Sequence, residues 1–409
     1  MGKNEMVTRR KFLKASLGAA ATFMIVPRHV LGGPGYTPPS ETVGGALIGC
    51  GGRGPGTFGG LKELNAVRLA SCDVQWLDRA DNKTIYTDFR RVLERKDIDV
   101  VAIATPPHWH ALISIAAMEA GKDVLCEKPM TRFIAEGRAV AEAEKRYGRI
   151  FQVGTFGRFD ASRDSRKVLT RKIMKSGLLK NCPVVHIARG GHKVKEWSGL
   201  VNVKPRPVPP NLDWDMYVGP APMKPYHPHR VGGTHRGYWD YEGGGLADMG
   251  QHHFDPVTWT YGKDDTAPVE IEAYAPPAHP DAVGMWGWVE LKYADGMTVV
   301  LDSGEWGERY NRKESRDIRL EDLDEASREK IKAMPDPEPL RDFAEAVKTR
   351  KRAGGNAEAA HRTACILHLA NIAIRVGRKI HFDPVKEVIV GDEEANRLVN
   401  QPMRAPWHL

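Results

Sequence analysis

Seven residues, VGGALIG (43–49), run without a break into GCGGRG (49–54), and this junction constrains the fold more than any other stretch of the chain. A short apolar run met at once by Gly49, Gly51 and Gly54 predicts a buried strand, a tight turn and a helix start. The spacing has a chemical reading. One glycine makes the turn, one lets the backbone approach a pyrophosphate, and one lets the helix pack closely on the strand, with the phosphate charge at a helix N-terminus. Gly52 and Arg53, in the same loop, are further candidate cofactor contacts. A second apolar run, AVRLASCDV (66–74), carries Asp73 near its end. A carboxylate there would accept hydrogen bonds from ribose hydroxyls and repel a 2′-phosphate, so NAD is expected in preference to NADP.

The rhythm continues as short apolar runs alternating with helical patterns, which predicts a parallel sheet covered by helices. DVVAIATPP (99–107), KDVLCEKP (122–129) and IFQVGT (150–155) read as strands. HALISIAAMEAG (110–121) and TRFIAEGRAVAEAEKRYG (131–148) read as helices, the second with Thr131 at its N-cap and Gly148 past its end. The expected class is α/β plus α+β, with a Rossmann dinucleotide-binding domain over 42–155. A second domain, 156–409, is expected on an open, largely antiparallel sheet. A helix over 162–177 and a strand over 183–191 begin it, followed by an aperiodic stretch to about residue 240. VEIEAYA (269–275), MWGWVELKY (285–293) and MTVVLDSG (297–304) alternate as antiparallel strands do. Helices over 341–351 and 357–377 are expected to pack back on the first domain.

Charge separates off the N-terminus. Residues 1–30 hold six Lys and Arg against Glu5 alone, so five of the eight net positive charges sit there and the remainder is too dispersed for a nucleic-acid partner. TRRKFLKAS (8–16) followed by ASLGAAATFMIV (15–26) pairs two arginines with an apolar run too short to span a bilayer. The pattern is that of a twin-arginine signal. It implies a folded protein handed to the twin-arginine export machinery and a periplasmic or exported destination, with 1–41 as signal and linker. The five cysteines are widely spaced and fit neither a CxxC metal pair nor a disulfide framework.

GGGLADMGQHHFD (243–255) sets two carboxylates and two imidazoles behind three glycines. On a helix, Asp248 and His252 share a face, Asp255 joins it, and His253 turns away by about 100°. That geometry suits an imidazole general base oriented by a carboxylate. Two other readings stand beside it. A divalent metal could take Asp248, His252 and a third histidine from His227, His229 or His235, or Asp248 could simply cap a helix around a buried His252. The stretch YHPHRVGGTHRGYWDY (226–241) mixes rings that pack on sugar faces with Arg and His that bind hydroxyls, which makes His235, Tyr238 and Trp239 candidate substrate contacts. Trp109, Arg158 and His253 are further ones. Lys128 closes an apolar strand at the sheet edge where ligands bind.

TPPHWHALISIAAMEAGKDVLCEKPMT (105–131), together with the glycine turn and GGGLADMGQHHFD in order, resembles the Gfo/Idh/MocA oxidoreductase family, and the late segments are similar to its exported, planctomycete-type branch. The resemblance implies that Lys128 of Glu127-Lys128-Pro129 reaches the reacting centre. It also implies catalytic roles for His252 and Asp248, with Thr105, Pro106, His110 and Glu127 at the cofactor and no metal. It implies further a carbohydrate substrate, a homodimer or homotetramer, and hydride transfer between NAD and a carbinol of a sugar, cyclitol or glycoside. Export would require tightly held NAD that is regenerated within the cycle. A glycoside hydrolase or lyase using transient C3 oxidation is the alternative, and a non-catalytic sugar-binding protein the third.

Overall fold

In the computed structural model, which describes residues 42–179, 181–187 and 191–409, the glycine-linked strand lies inside a six-stranded parallel sheet. The strands are β1 (Gly44–Ile48), β2 (Val67–Cys72), β3 (Ile85–Tyr86), β4 (Val100–Ile103), β5 (Asp123–Cys126) and β6 (Phe151–Val153), in the order β3-β2-β1-β4-β5-β6. The order reverses between β1 and β4, which opens a crevice at the C-terminal strand ends where such sheets bind ligands. Every residue of β1, β4, β5 and β6 is buried, because helices cover both faces. Residues 1–41, with the twin-arginine pattern, lie outside the described residues. Among the described residues no helix is long and apolar enough to cross a membrane.

The helices of this half are α1 (Gly54–Gly59), α2 (Phe89–Leu93), α3 (His110–Glu119) and α4 (Ile134–Tyr147). Side chains alternate along the strands, so Ile48, Ile103 and Cys126 pack with α3 and α4 on one face, while Leu47, Ala102 and Leu125 pack with Leu61 and Leu64 on the other. The expected N-cap at Thr131 is corrected. The helix is capped at Phe133, where Glu136 Oε2 accepts the Arg132 and Phe133 N–H groups at 2.8 and 3.2 Å, and the Thr131 hydroxyl donates to the Phe133 carbonyl instead.

The second half carries α5 (Gly157–Arg163), α6 (Ser165–Ser176), α7 (Trp214–Val218), α8 (Gly244–Thr260) and α9 (Glu325–Ala333). Its sheet is built from β7 (Val184–Ile187), β8 (Glu270–Tyr274), β9 (Trp288–Lys292), β10 (Thr298–Asp302), β11 (Ile380–Asp383) and β12 (Val388–Ile389), ordered β12-β11-β8-β9-β10-β7. Its pairs are antiparallel except β10 with β7, which run parallel. Ile271, Val289, Leu291, Val299 and Leu301 face inward against α8 and the long final helix, and burying each such side chain is worth about 1.5–3 kcal/mol.

Two late helices tie the halves together. α10 (Phe343–Thr349) places Phe343, Ala344 and Ala346 on the second face of the first sheet, with Leu47, Ala102 and Leu125. α11 (Ala357–Val376) contributes Ala357, Ala360 and Ala364 to the first core, and Cys365, Leu369, Ala373 and Ile374 to the second.

Candidate active site

A cavity of about 520 Å³ opens at the crevice between β1 and β4 and extends to α8. Its nucleotide end grows directly from strand termini. Gly49 follows β1 with φ +85°, and a Cβ there would lie 2.5 Å from the backbone of Ala104 and Thr105. A Cβ on Gly54 would lie 2.3 Å from the Gly49 carbonyl oxygen, so this residue is the close-packing glycine, buried beneath the loop rather than lining the cavity. A Cβ on Gly51 or Gly52 would meet nothing within 4 Å, which leaves that backbone open to a pyrophosphate. Asp73 stands beside them with Oδ2 accepting the Cys50 N–H at 2.8 Å and Oδ1 accepting the Gln75 N–H at 2.9 Å. Thr105, Pro106 and Arg53 complete this wall, and the Thr105 hydroxyl is buried with no hydrogen-bond partner among the described residues. A loop open to phosphate, a fixed carboxylate and an unpaired buried hydroxyl fit a dinucleotide.

Glu127 is buried, where it accepts from Thr57 Oγ1 at 2.8 Å and Arg53 Nε at 3.1 Å, so it braces the glycine loop from below. Lys128, the next residue, points into the cavity and meets α8 across it. Its Nζ lies 2.6 Å from Asp248 Oδ1 and donates to the Asp248 carbonyl at 2.9 Å. Arg236 Nε approaches the same carboxylate at 2.8 Å. Burial pushes the Asp248 carboxyl up, but these two cations outweigh it and hold it below the usual carboxylate range. His252 lines the cavity one turn along α8; burial and the Lys128 charge together hold its imidazole below the ordinary histidine value, so it is neutral near pH 7. Asp248 acts on His252 through its charge, whereas its close polar contacts go to Lys128 and Arg236. The expectation that this carboxylate orients the imidazole directly is therefore corrected.

The three glycines at the start of α8 have separate reasons. Gly243 and Gly244 take φ +121° and +77°, and a Cβ on Gly245 would lie 1.8 Å from the His192 carbonyl oxygen. One flank of the helix then fastens to the first domain, where Gln251 Oε1 accepts the Met130 N–H at 2.7 Å and Asp255 accepts from Thr155 Oγ1 at 2.8 Å, while Arg158 Nε of α5 donates to the same Asp255 at 2.7 Å.

Several expected contacts are elsewhere. Arg158 is 1% exposed in its ion pair with Asp255 and does not reach this cavity. His110 is buried under the loop, with its ring nitrogens on the Pro129 and Thr105 carbonyls, so it braces the backbone instead of touching a cofactor. Tyr238 is buried against His229 and Arg230, and Trp239 against Arg375, with its indole N–H on the His279 carbonyl. His253 turns off the stripe and packs edge-on to His192. Trp109 does line the cavity, its indole N–H held by the Met216 and Tyr217 carbonyls at 3.0 and 3.2 Å. His235 lines it too. Its Nδ1 meets the Gly232 carbonyl, and its Nε2 stands 3.0 Å from Glu242 Oε2.

Arg236, Glu242, Phe89, Met216 and Tyr217 line the cavity without having been singled out from sequence. Arg236 lies inside the chosen stretch 226–241 and Glu242 directly follows it, so their charge was the available signal. Among the described residues no group of three His, Cys, Asp or Glu side chains is placed to hold a metal ion.

Comparisons with known proteins agree with this geometry. Residues 70–155 match the model described as "Oxidoreductase family, NAD-binding Rossmann fold", and residues 164–409 the one described as "Oxidoreductase family, C-terminal alpha/beta domain". A levoglucosan dehydrogenase of Pseudarthrobacter phenanthrenivorans is 35% identical over 116 residues, 28% of this chain and 28% of that protein. A glycosyl hydrolase family 109 protein of Solibacter usitatus is 30% identical over 154 residues, 32% of this chain and 35% of that one. The matches thus span about a third of those relatives. The WlbA dehydrogenase from Bordetella pertussis, solved with NADH and UDP-GlcNAcA, shares the fold at TM-score 0.51 and 15% identity, over 84% of this chain and 99% of that one.

Proposed function

The chain belongs to the Gfo/Idh/MocA oxidoreductase family, and from that premise we propose that it is an exported NAD-dependent oxidoreductase acting on a carbinol of a sugar, cyclitol or glycoside. The observation that carries the reading is the meeting of Lys128, ion-paired to Asp248, and His252 in one cavity with the open glycine loop. NAD bound on that loop supplies a hydride acceptor. Lys128 binds the substrate hydroxyl oxygen and lowers the cost of its negative charge, and neutral His252 takes the hydroxyl proton. Asp248 keeps Lys128 aimed across the cavity and offsets its charge. Glu127 holds the strand end, and Trp109 the side wall. Asp73 favours NAD over NADP because both its oxygens are anchored and a 2′-phosphate would meet a fixed negative charge.

An exported enzyme has no nicotinamide pool to recycle its cofactor, so the NAD is held tightly and regenerated in each cycle; the assembly is a homodimer or homotetramer. A second reading is favoured by His235 and Glu242. His235 Nε2 stands 3.0 Å from Glu242 Oε2 on the wall of the same cavity as Lys128 and His252. Plain dehydrogenation needs one proton-handling group. Elimination of a glycosidic oxygen next to a transient C3 ketone needs a second, and this pair supports it. Both readings are tested with the holoenzyme purified from a native host: mass spectrometry for bound NAD, then a nitrophenyl glycoside without a second sugar. Released nitrophenol supports elimination; turnover only with a second sugar supports paired oxidation and reduction. A protein that takes up no NAD refutes both.

A further inference from the structure

Trp407 packs on the two rings of the cavity wall, Trp109 and Phe89, without lining the cavity itself. Its ring lies 4.7 Å from that of Trp109, edge-on at 79°, and 6.3 Å from that of Phe89, with the Arg90 guanidinium 5.2 Å over it. Trp109 and Phe89 both line the cavity and lie 5.5 Å apart, so Trp407 completes a three-ring block behind the wall. This is the nucleoside side. The Asp73 N–H donates to the Tyr86 carbonyl, which sets the Asp73 carboxylate beside the chain that continues through Thr87 to Phe89.

The segment bearing Trp407 is fastened independently of that block. Arg404 Nη1 lies 2.7 Å from Asp215 Oδ1, its Nε donates to the Gly219 carbonyl at 2.9 Å, and its backbone N–H donates to the Pro220 carbonyl at 2.9 Å. These partners sit on and just after α7, the helix whose Met216 and Tyr217 carbonyls hold the Trp109 indole. Gly219 packs so closely on Trp109 that a Cβ would lie 2.1 Å from the ring. Trp109 is therefore clamped between Gly219 on one side and Trp407 on the other. A wall made of a side chain from the first domain and a helix from the second has no covalent reason to stay shut, and residues 404–407 bridge the two.

We infer that Trp407 is a positioning residue for cofactor retention: residues 404–407 strap α7 to Trp109 and Phe89, and so close the nucleoside side of the cleft. The inference rests on the cofactor reading above. Its effect falls on escape of the nucleotide, since the strap backs the Trp109–Phe89 wall and leaves the glycine loop and the proton-handling residues untouched.

The test follows NADH release from preloaded, full-length enzyme by the loss of nicotinamide fluorescence on adding excess NAD. Trp407→Ala and Arg404→Met are each expected to release NADH about tenfold faster with little change in association rate, the scale of one lost aromatic or anchoring contact. Trp407→Phe, which keeps a ring on Trp109, is expected to restore release to within about twofold of the parent. A folded Trp407→Ala protein that releases NADH at the parental rate overturns the strap. Should that variant fail to fold, Arg404→Met decides alone, because its partner Asp215 is 65% exposed and dispensable for packing. A parent protein that binds no NADH refutes the cofactor reading instead, which keeps the two failures apart.

Discussion

Lys128 Nζ touches Asp248 twice, at the carboxylate Oδ1 (2.6 Å) and at the main-chain carbonyl (2.9 Å), so a lysine from the edge of one sheet is registered to the first turns of a helix from the other domain. Replacing Lys128 with Ala is expected to lower kcat by about 10²–10⁴ while NAD still binds. Asp248→Asn leaves Lys128 and Arg236 without their shared anion and is expected to lower both activity and melting temperature. Steady-state kinetics and calorimetry read the two effects.

The pH profile follows from His252. Burial and the Lys128 charge both disfavour its imidazolium form, so the neutral base persists below the ordinary histidine value of about 6.5. In the oxidation direction kcat/KM is expected to fall only on an acid limb displaced below that pH. In Lys128→Met the His252 resonance, followed by NMR, is expected to titrate at higher pH than in the parent; an unmoved or lower value would falsify the electrostatic account.

Two glycines of one loop are expected to behave oppositely. Gly51→Val adds bulk where the loop is open, so the melting temperature should hold while NAD affinity collapses. Gly49→Val puts a branched side chain at φ +85° against the Ala104 backbone, and should destabilise the whole first domain whether or not cofactor is present. Thermal melts with and without NAD separate the cases.

Cofactor choice is expected to hinge on Asp73. Asp73→Ser removes the negative charge and both backbone anchors, and should raise the NADP/NAD ratio of kcat/KM by at least about tenfold. A ratio unchanged from the parent would mean that the discrimination lies elsewhere.

Acid stability is expected to depend on an ion cluster far from the cavity. Arg138 of α4 pairs with Glu358 of α11 and with Glu387, each at 2.7 Å, and Arg362 approaches both glutamates. Burial pushes both carboxyls up, but the arginines and His361 overcome it and hold each at about 2. A depressed folded value means stability present above the unfolded value of about 4.5 and lost as pH falls toward 2. Arg138→Met should cost about 1–3 kcal/mol at pH 7 and flatten the acid dependence, as chemical denaturation between pH 2 and 7 would register.

The nucleotide end of the site is legible in the sequence because it is local: strand, glycine turn and strand-end Asp73 follow one another with fixed spacing, and each role is set by backbone geometry. Asp248 and His252 share a helix, so their common face follows from its period. What joins them to Lys128 is a contact across 120 residues that no local pattern encodes. Arg158 shows the limit from the other side. An arginine just past a strand looks the same in sequence whether it meets a ligand or, as here, the buried Asp255 97 positions on. Tyr238 and Trp239 fail for the same reason, since an aperiodic stretch carries no sign of which rings face inward. Arg236 and Glu242, three and four residues from those rings at most, are the ones the loop turns toward the cavity.

α11 draws a consequence from its own composition. With Ala357, Ala360 and Ala364 in one core and Cys365 to Ile374 in the other, a single rod of 20 residues is a structural beam common to both domains. The division of labour between nucleotide side and substrate side is therefore no seam: excising either half would strip the other of its buttress.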